Sequence, residues 1–511
     1  MWTNVLQGMQ ESSSLEVEWP SGIEEDCVLL HGFLSPAECD ALIAKTEHAG
    51  FASASPDYPP SYRNNDRLVM DDPMLAEALF QRLMRCAGEL AAVEAFIAKP
   101  GGAALAVNER MRFCRYRPGT QFGAHQDGVR HDEATQSRLT FMVYLNGGSF
   151  TGGDTVFYAH RADAMAGQNP IVRLQPRRGS LILFNHALWH AGACVDAGVK
   201  YVMRSDLMYA SDDRRNAAGP FEPSHRGYVW SLTALSEQRV ASAGRDAIIR
   251  IWDRQGALET ALVGHTQSVL GVLEVGPEEL ISYSRDRTVR CWRTETGASQ
   301  IIGTLETAVL SAVLLESGRL VTGEAAGKLT VWDLAANTST NWEAHESWIW
   351  SIAATGSNRF ATAAEDGWVR LWCSVDYKPI AEIDLGLPLR SVTYSHPNGS
   401  CLAVGDIEGR LHILDIEGGL TRLSSIKAHE GPVRKLRFED DRTVLSCGED
   451  GQVCRWHLPS GSQMVIATHE NFASDVLYIG DGRWLSCGYD SQIRIGMLSQ
   501  GDGNAGEVSG R

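Results

Sequence analysis

The chain has 511 residues, more than one hydrophobic core usually organises, so length alone favours two or more domains. Apolar residues at 44% and charged residues at 21% are the proportions of a globular chain and exclude a long disordered or fibrous tract. A formal charge of −17 disfavours a nucleic-acid or anionic-membrane partner, since either needs a basic surface.

The start, MWTNVLQGMQESSSLE, has no basic region ahead of an apolar run, and no window reaches the roughly 18 apolar residues of a membrane span. The expectation is a soluble, unexported, cytoplasmic protein that binds neither membrane nor nucleic acid. Eleven cysteines, an odd number, predict reduced thiols. None forms a C-x-x-C pair, so a thiolate zinc site is disfavoured and any metal must use other ligands.

In chain order, Ser35, Pro36 and Glu38 make a capping box with proline in the first turn, and Cys39, Leu42 and Ile43 follow at helical spacing. A second helix is predicted from Asp72 as N-cap and Pro73, with Leu75, Leu79 and Leu83 on one face. From Met111 the pattern changes to strand-like runs, RLTFMVYL, SLILF and KYVMRSDLMY, separated by turns such as GTQFG and GGSFTGGD. Helices packed on an antiparallel sandwich or jelly roll are the expected fold.

Within this region RYRPGTQFGAHQDG places His125 and Asp127 two residues apart, on one face of an extended strand. An isolated His-x-Asp is more often a turn or a cap than a ligand pair. His190 follows an apolar strand downstream, and Lys200 and Arg204 lie beyond it, four residues apart and therefore facing the same way. His131, His160 and His186 lack ligand spacing and are expected at the surface or supporting the ligands, with His186 the alternative to His190.

The polar segment ASDDRRNAAGPFEPS, 210–224, separates two periodicities. The expected division is a first domain over 1–209, a linker over 210–223, a repeat domain over 224–498 and a flexible tail over 499–511. In the repeat domain Trp252, Trp292, Trp332 and Trp372 recur every 40 residues, and Leu414, Trp456 and Gly496 continue the series to seven units. Twenty-seven positions before these anchors stand His225, His265, His345, His429 and His469; six before stand Asp246, Asp286, Asp366, Asp450 and Asp490, with Glu408 in a sixth unit.

This stretch resembles the WD-repeat family, which implies an all-β seven-bladed propeller. In that family His, turn Asp, strand Ser or Thr and Trp form a buried network in each blade, so these histidines are expected to be structural. The third and fifth units carry Leu305 and Leu387 for His, with Ala326 for Asp in the third and Leu414 for Trp in the fifth. Those blades are expected to lose the network. The glycine-rich tail is a poor fourth strand for the last blade, leaving residues 220–224 as the alternative.

The first domain, over 28–209, resembles the prolyl-4-hydroxylase-like branch of the 2-oxoglutarate and Fe(II) dependent oxygenases. The resemblance is carried by LSPAECDALI, YRNNDR, Y-R-P-G ahead of His-x-Asp, YLNGG, GGDTVF and the H-x(9)-K spacing from His190 to Lys200. It implies an α+β double-stranded β-helix (jelly roll) with an iron-binding core over about 108–209. It further implies His125, Asp127 and His190 as metal ligands and catalytic residues through Fe(2+), which leaves three coordination positions open.

By the same resemblance 2-oxoglutarate and O2 are cosubstrates, Lys200 holds the distal carboxylate with Arg204 as the alternative, and Tyr116 and Tyr144 help to hold it. Without that role, both tyrosines are expected to pack in the barrel core. L-ascorbate support is implied by family alone. Asp127 supplies an anionic ligand, which favours a hydroxylase over a halide-binding variant. The expected function is hydroxylation of a C–H bond in a protein or peptide recruited on the propeller rim. The alternatives are a small-molecule hydroxylase whose propeller serves assembly, and a WD-repeat scaffold with a vestigial oxygenase site.

Overall fold

A computed structural model describes residues 15–54, 62–129, 135–210, 220–355, 358–395 and 400–497. His131, the tail and most of the expected linker lie outside these. The chain divides into two compact units, Met1–Asp213 and Arg214–Arg511. No helix among the described residues is long and apolar enough to cross a membrane.

In the first unit helix α1 (Pro36–Ala49) opens on the capping box: the Ser35 N–H donates to Glu38 Oε2 at 2.8 Å and the Glu38 N–H returns to Ser35 Oγ at 3.3 Å. Asp72 caps α2 (Pro73–Glu89) by accepting from the Leu75 N–H. Two further helices, α3 (Ala91–Ala98) and α4 (Arg161–Ala166), have no side-chain cap. Arg82 of α2 pairs with Glu38 of α1 at 2.6 Å, tying the two longer helices together.

Helix α4 packs on the facing four-stranded sheet, whereas α1, α2 and α3 lie on one face of a nine-stranded antiparallel sheet. Its path runs Glu16–Glu18, Cys27–His31, Leu181–Asn185, Thr135–Tyr144, Lys200–Ala210, Arg110–Tyr116, Asp66–Asp71 and Ala52–Ser53, with Ala106–Val107 pairing beside Lys200–Ala210. Strand alternation sorts the core into two layers. Leu181, Leu183, Phe141, Met203 and Leu207 join Leu42, Leu75, Leu79 and Leu83 under the helices. Ile182, Phe184, Tyr144, Val202 and Tyr116 point the other way and meet Phe122 and Phe157 of a second, four-stranded sheet. That sheet runs Val172–Leu174, Thr155–Tyr158, Trp189–Gly192, Phe122–His125. Two facing sheets with the site between them are the double-stranded β-helix.

The second unit consists, among its described residues, of six four-stranded sheets and one three-stranded sheet, spanning 229–263, 269–304, 309–343, 349–384, 389–427, 433–468 and 473–497. Each buries its apolar face on the next. Trp292 packs with Ile249 and Leu262 of the preceding sheet, Trp332 with Ile281 and Val289, and Trp456 with Leu411 and Ile413. The series closes on itself, because Trp252 and Val229 pack with Leu477 and Leu485 of the last sheet and the Leu232 N–H donates to Asp475 Oδ2 at 3.0 Å.

Residues 220–224 do not supply a fourth strand to that last sheet. The Phe221 N–H donates to Gly256 O at 2.6 Å, and Glu222 bridges to Ala257, both in the turn between the last two strands of the first sheet. Phe221 lies edge-on to Trp252 there, so burying its ring on the first blade outweighs strand pairing.

The repeat histidines are structural. His265 Nδ1 sits 2.8 Å from Asp286 and Nε2 2.7 Å from Ser282 Oγ, which also accepts from Trp292 Nε1 at 2.7 Å. His225, His345, His429 and His469 repeat the pattern with Asp246, Asp366, Asp450 and Asp490. In the seventh blade Trp484 fills the space beside Gly496, where a Cβ would lie 2.1 Å from its ring.

The fifth blade loses its His–Asp–Ser/Thr–Trp network as expected, whereas the third keeps part of it, and each carries a substitute acid. In the third, Trp332 still donates to Thr322 at 3.0 Å, and Glu324, 1% exposed, accepts from Thr307 and Thr330. In the fifth, Asp406 pairs with His412 Nε2 at 3.0 Å. Both substitute acids stand eight positions before the anchor, where the other blades carry Gly, Ser or Ala. A buried gap left by a lost polar residue is refilled from a neighbouring register.

Candidate active site

The strands Phe122–His125 and Trp189–Gly192 pair antiparallel with His125 directly opposite His190. Asp127 follows where the first strand ends, its N–H held by His186 O at 3.1 Å. Strand pairing thus converges residues 65 positions apart. One ligand atom from each of His125, Asp127 and His190 lies within 4.8 Å of the others, and the three are 4%, 5% and 6% exposed.

The two imidazoles are oriented alike. His125 Nδ1 bonds Gly123 O at 2.8 Å and His190 Nδ1 bonds Leu188 O at 3.0 Å. A carbonyl can only accept, so each Nδ1 carries the proton and each Nε2 offers a lone pair. Those nitrogens stand 3.4 and 3.6 Å from the two Asp127 oxygens, and His125 Nε2 is buried without a hydrogen-bond partner. Burial, together with the neighbouring His125, pushes His190 down to about 3, and burial also lowers His125, so both stay neutral. Burial works to raise Asp127, but the Arg204 guanidinium and the two imidazoles hold it well below the carboxylate range. Two neutral imidazoles, one carboxylate and an unsatisfied buried nitrogen fit a divalent first-row metal of the iron type.

The carboxylate is held from behind. Thr140 Oγ1 donates to Asp127 Oδ2 at 2.5 Å, and Arg204 Nη2 lies 2.5 Å from Oδ1. Arg204 also approaches Asp206 at 3.9 Å, which pairs with Arg112 at 3.0 Å. His186 is buried beside this chain, 3.8 Å from Asp206, with neither ring nitrogen hydrogen-bonded. It supports the site through its backbone and is not among the three clustered donors. His160 is exposed ahead of α4.

Lys200 and Arg204 both line the cavity, but they are committed differently. Lys200 is 3% exposed and its Nζ donates to Gly153 O at 2.6 Å, with the Tyr116 and Tyr144 rings 5.3 and 5.6 Å away. Among the described residues no carboxylate comes within ion-pair distance of it, and burial lowers it to about 8. Tyr116 lines the cavity; Tyr144 stands behind it with its hydroxyl donated to Thr155 Oγ1 at 2.7 Å. The cavity measures about 40 Å³, with Arg204 in its lining beside Asp127.

Sequence reasoning did not single out Arg63, Thr140, Met142, Thr155 or Phe184. Arg63 lines the cavity with its guanidinium 3.9 Å over the Phe122 ring and was visible only inside the YRNNDR motif. Thr140, Met142 and Phe184 sit in apolar runs whose cavity-facing alternation was the available signal.

Residues 111–205 match the model of the 2OG-Fe(II) oxygenase superfamily. Residues 221–253, 337–373 and 420–457 match the WD domain, G-beta repeat. Among known proteins the chain is 23% identical over 273 residues to the ribosome biogenesis protein YTM1 of Saccharomyces cerevisiae, covering 52% of this chain and 54% of that protein. It is 25% identical over 293 residues to protein tipD of Dictyostelium discoideum, covering 53% and 46%. To the E3 ubiquitin-protein ligase COP1 of Arabidopsis thaliana it is 21% identical over 182 residues, covering 34% and 27%. The chain spans about half the length, or less, of the curated relatives it matches.

Proposed function

We propose that this chain, which joins a domain of the 2OG-Fe(II) oxygenase superfamily to WD repeats, hydroxylates a C–H bond of a protein or peptide that the propeller recruits. The observation that carries the enzymatic reading is the convergence of two imidazole Nε2 atoms, that of His125 without a hydrogen-bond partner, and one carboxylate on a common point, with the Lys200 ammonium in the same cavity. His125, Asp127 and His190 would hold Fe(2+), which together with 2-oxoglutarate and O2 supplies oxidative decarboxylation coupled to C–H oxidation.

The protein's own residues bind, orient and exclude water. Gly123 O and Leu188 O keep each imidazole proton on Nδ1, so the donor atoms stay aimed inward. Thr140 fixes the second Asp127 oxygen and lowers the cost of keeping that charge buried. Lys200, with no carboxylate of its own, is the cation suited to the distal carboxylate of 2-oxoglutarate, and Tyr116 lines the path to it. Arg204 is already engaged by Asp127 and is therefore not free for that role. Phe122, Phe184 and Val202 line the remaining wall and keep the cavity dry.

A ring of seven packed sheets presents a broad rigid surface, which supports recruitment of a macromolecular substrate over a small molecule. The eleven free cysteines support a reducing, cytoplasmic location. L-ascorbate as a helper of turnover rests on the family resemblance. The direct test is succinate formation from 2-oxoglutarate by the wild type and by His125→Ala, followed by mass spectrometry of captured partners for the gain of one oxygen. Turnover that survives His125→Ala would refute the metal assignment, and captured partners left unmodified by active enzyme would refute recruitment.

A further inference from the structure

The fifth blade, 389–427, departs from its neighbours in a way that packing does not explain. The four positions that carry His, Ser or Thr, Asp and Trp elsewhere are here Leu387, Val404, Glu408 and Leu414. Three of the four are apolar, so the blade's interior has been rebuilt without its buried hydrogen-bond network. An apolar rebuild needs no buried charge. Yet Asp406 and His412, 0% and 3% exposed, have been introduced beside it.

Their geometry aims outward. Asp406 Oδ1 accepts the Arg410 backbone N–H at 2.8 Å and Oδ2 meets His412 Nε2 at 3.0 Å, so both carboxylate oxygens are engaged. That pairing fixes the ring and leaves His412 Nδ1 buried with no hydrogen-bond partner. His412 lines a cavity of about 310 Å³ together with Arg410, Arg422, Ser424 and Ser425. Arg410 has only an exposed contact with Glu408 at 3.6 Å, a pair of little energetic weight. The third blade makes the contrast: its introduced acid, Glu324, is bonded to Thr307 and Thr330 within the blade.

Two guanidinium groups, the Ser425 hydroxyl opposite His412 and an imidazole edge around one polar cavity suit a tetrahedral oxyanion, and both oxygens of the one acid in it are already engaged, by His412 and the Arg410 N–H. We propose that this cavity binds a phosphoryl group, either of a phosphorylated side chain on a partner protein or of free phosphate. Arg410 and Arg422 supply the charge, Ser425 accepts or donates at the rim, and the unpartnered Nδ1 of His412 closes the floor.

The test uses the full chain and three probes: inorganic phosphate, the pentapeptide acetyl-Ala-Gly-phosphoSer-Gly-Ala-amide, and its unphosphorylated form. Calorimetric titration is run alongside carbon-13 spectra of the His412 ring. The expected result is saturable binding of a phosphorylated probe, a shift of the His412 signal, and a loss of at least about tenfold in affinity in Arg422→Ala and in Arg410→Ala. Tighter binding of the peptide than of phosphate identifies a modified partner; the reverse identifies free phosphate. Arg422 is exposed, so Arg422→Ala is expected to leave the urea midpoint unchanged and to report on binding alone. No saturable binding up to about 10 mM of either phosphorylated probe, equal binding of the unphosphorylated peptide, or undiminished binding in both arginine variants would overturn the proposal.

Discussion

His125 in the first unit and His265 in the second are 4% and 6% exposed, and sequence gives each an aspartate partner. They differ in what their two nitrogens do. His265 spends both within the blade, on Asp286 and Ser282. His125 spends Nδ1 on a carbonyl and leaves Nε2 unbonded toward Asp127 and His190. A buried polar atom left unsatisfied costs roughly 1–3 kcal/mol, so it persists where something outside the polypeptide is to complete it. Burial therefore does not separate the two histidines; an unbonded Nε2 clustered with two other donor side chains does, and His186, unbonded but outside that cluster, shows that both conditions are needed.

The largest expected effect tests that distinction directly. His125→Ala, Asp127→Ala and His190→Ala should each bring 2-oxoglutarate turnover to background, while His265→Ala in the propeller leaves the succinate rate per folded molecule intact. Loss of the succinate rate in His265→Ala would erase the contrast. Next in size is the cation. Lys200→Ala should raise the KM for 2-oxoglutarate by roughly 30–100-fold, the cost of leaving a buried carboxylate unpaired at about 2–3 kcal/mol. Arg204→Leu should change KM far less, because that guanidinium is engaged by Asp127. A larger KM effect in Arg204→Leu would reverse the assignment.

The same residues show how far sequence reading reached. Strand parity made the His-x-Asp pair legible and put Lys200 and Arg204 on one face, whereas the downstream histidine and the H-x(9)-K spacing were legible through the family resemblance. Which of the two cations stays uncommitted was not, since the Arg204–Asp127 contact joins strand Lys200–Ala210 to the residue after a strand of the other sheet. Helices α1 and α2 carry side-chain caps and were visible; α3 and α4 have none and were not. The propeller registers announced the lost residues of the third and fifth blades. The acids that replaced them, Glu324 and Asp406, stand in a register that is small in every other blade, and only contacts reveal their role.

A smaller effect concerns stability in place of turnover. His265→Ala should lower the unfolding free energy by about 1–3 kcal/mol, since Asp286 and Ser282 lose a buried partner together. Urea denaturation of the intact chain reads this as a lower midpoint at constant slope. His125→Ala, which removes an unsatisfied nitrogen, should cost less in the metal-free protein. A metal-free stability loss larger for His125→Ala than for His265→Ala would contradict the reading of the two environments.

The last and smallest effect is the pH dependence of the propeller networks. Burial works to raise Asp246, but its hydrogen bond to His225, that ring's charge and Arg250 hold it at about 2, against an ordinary 3.8. A carboxylate depressed in the folded state contributes stability that is full above the unfolded value and disappears as pH falls through the folded one. The window is therefore about pH 4 down to about pH 2, and the contribution is on the order of 2 kcal/mol. Burial also lowers His225, so its neutral ring is favoured and acidification below its ordinary 6.5 destabilises in the same direction. Asp246→Asn removes the carboxylate, and the variant's acid unfolding curve should lose that part of its slope between pH 4 and 2. An unchanged acid slope in Asp246→Asn would show that the repeat aspartates are not the groups whose protonation opens the blades.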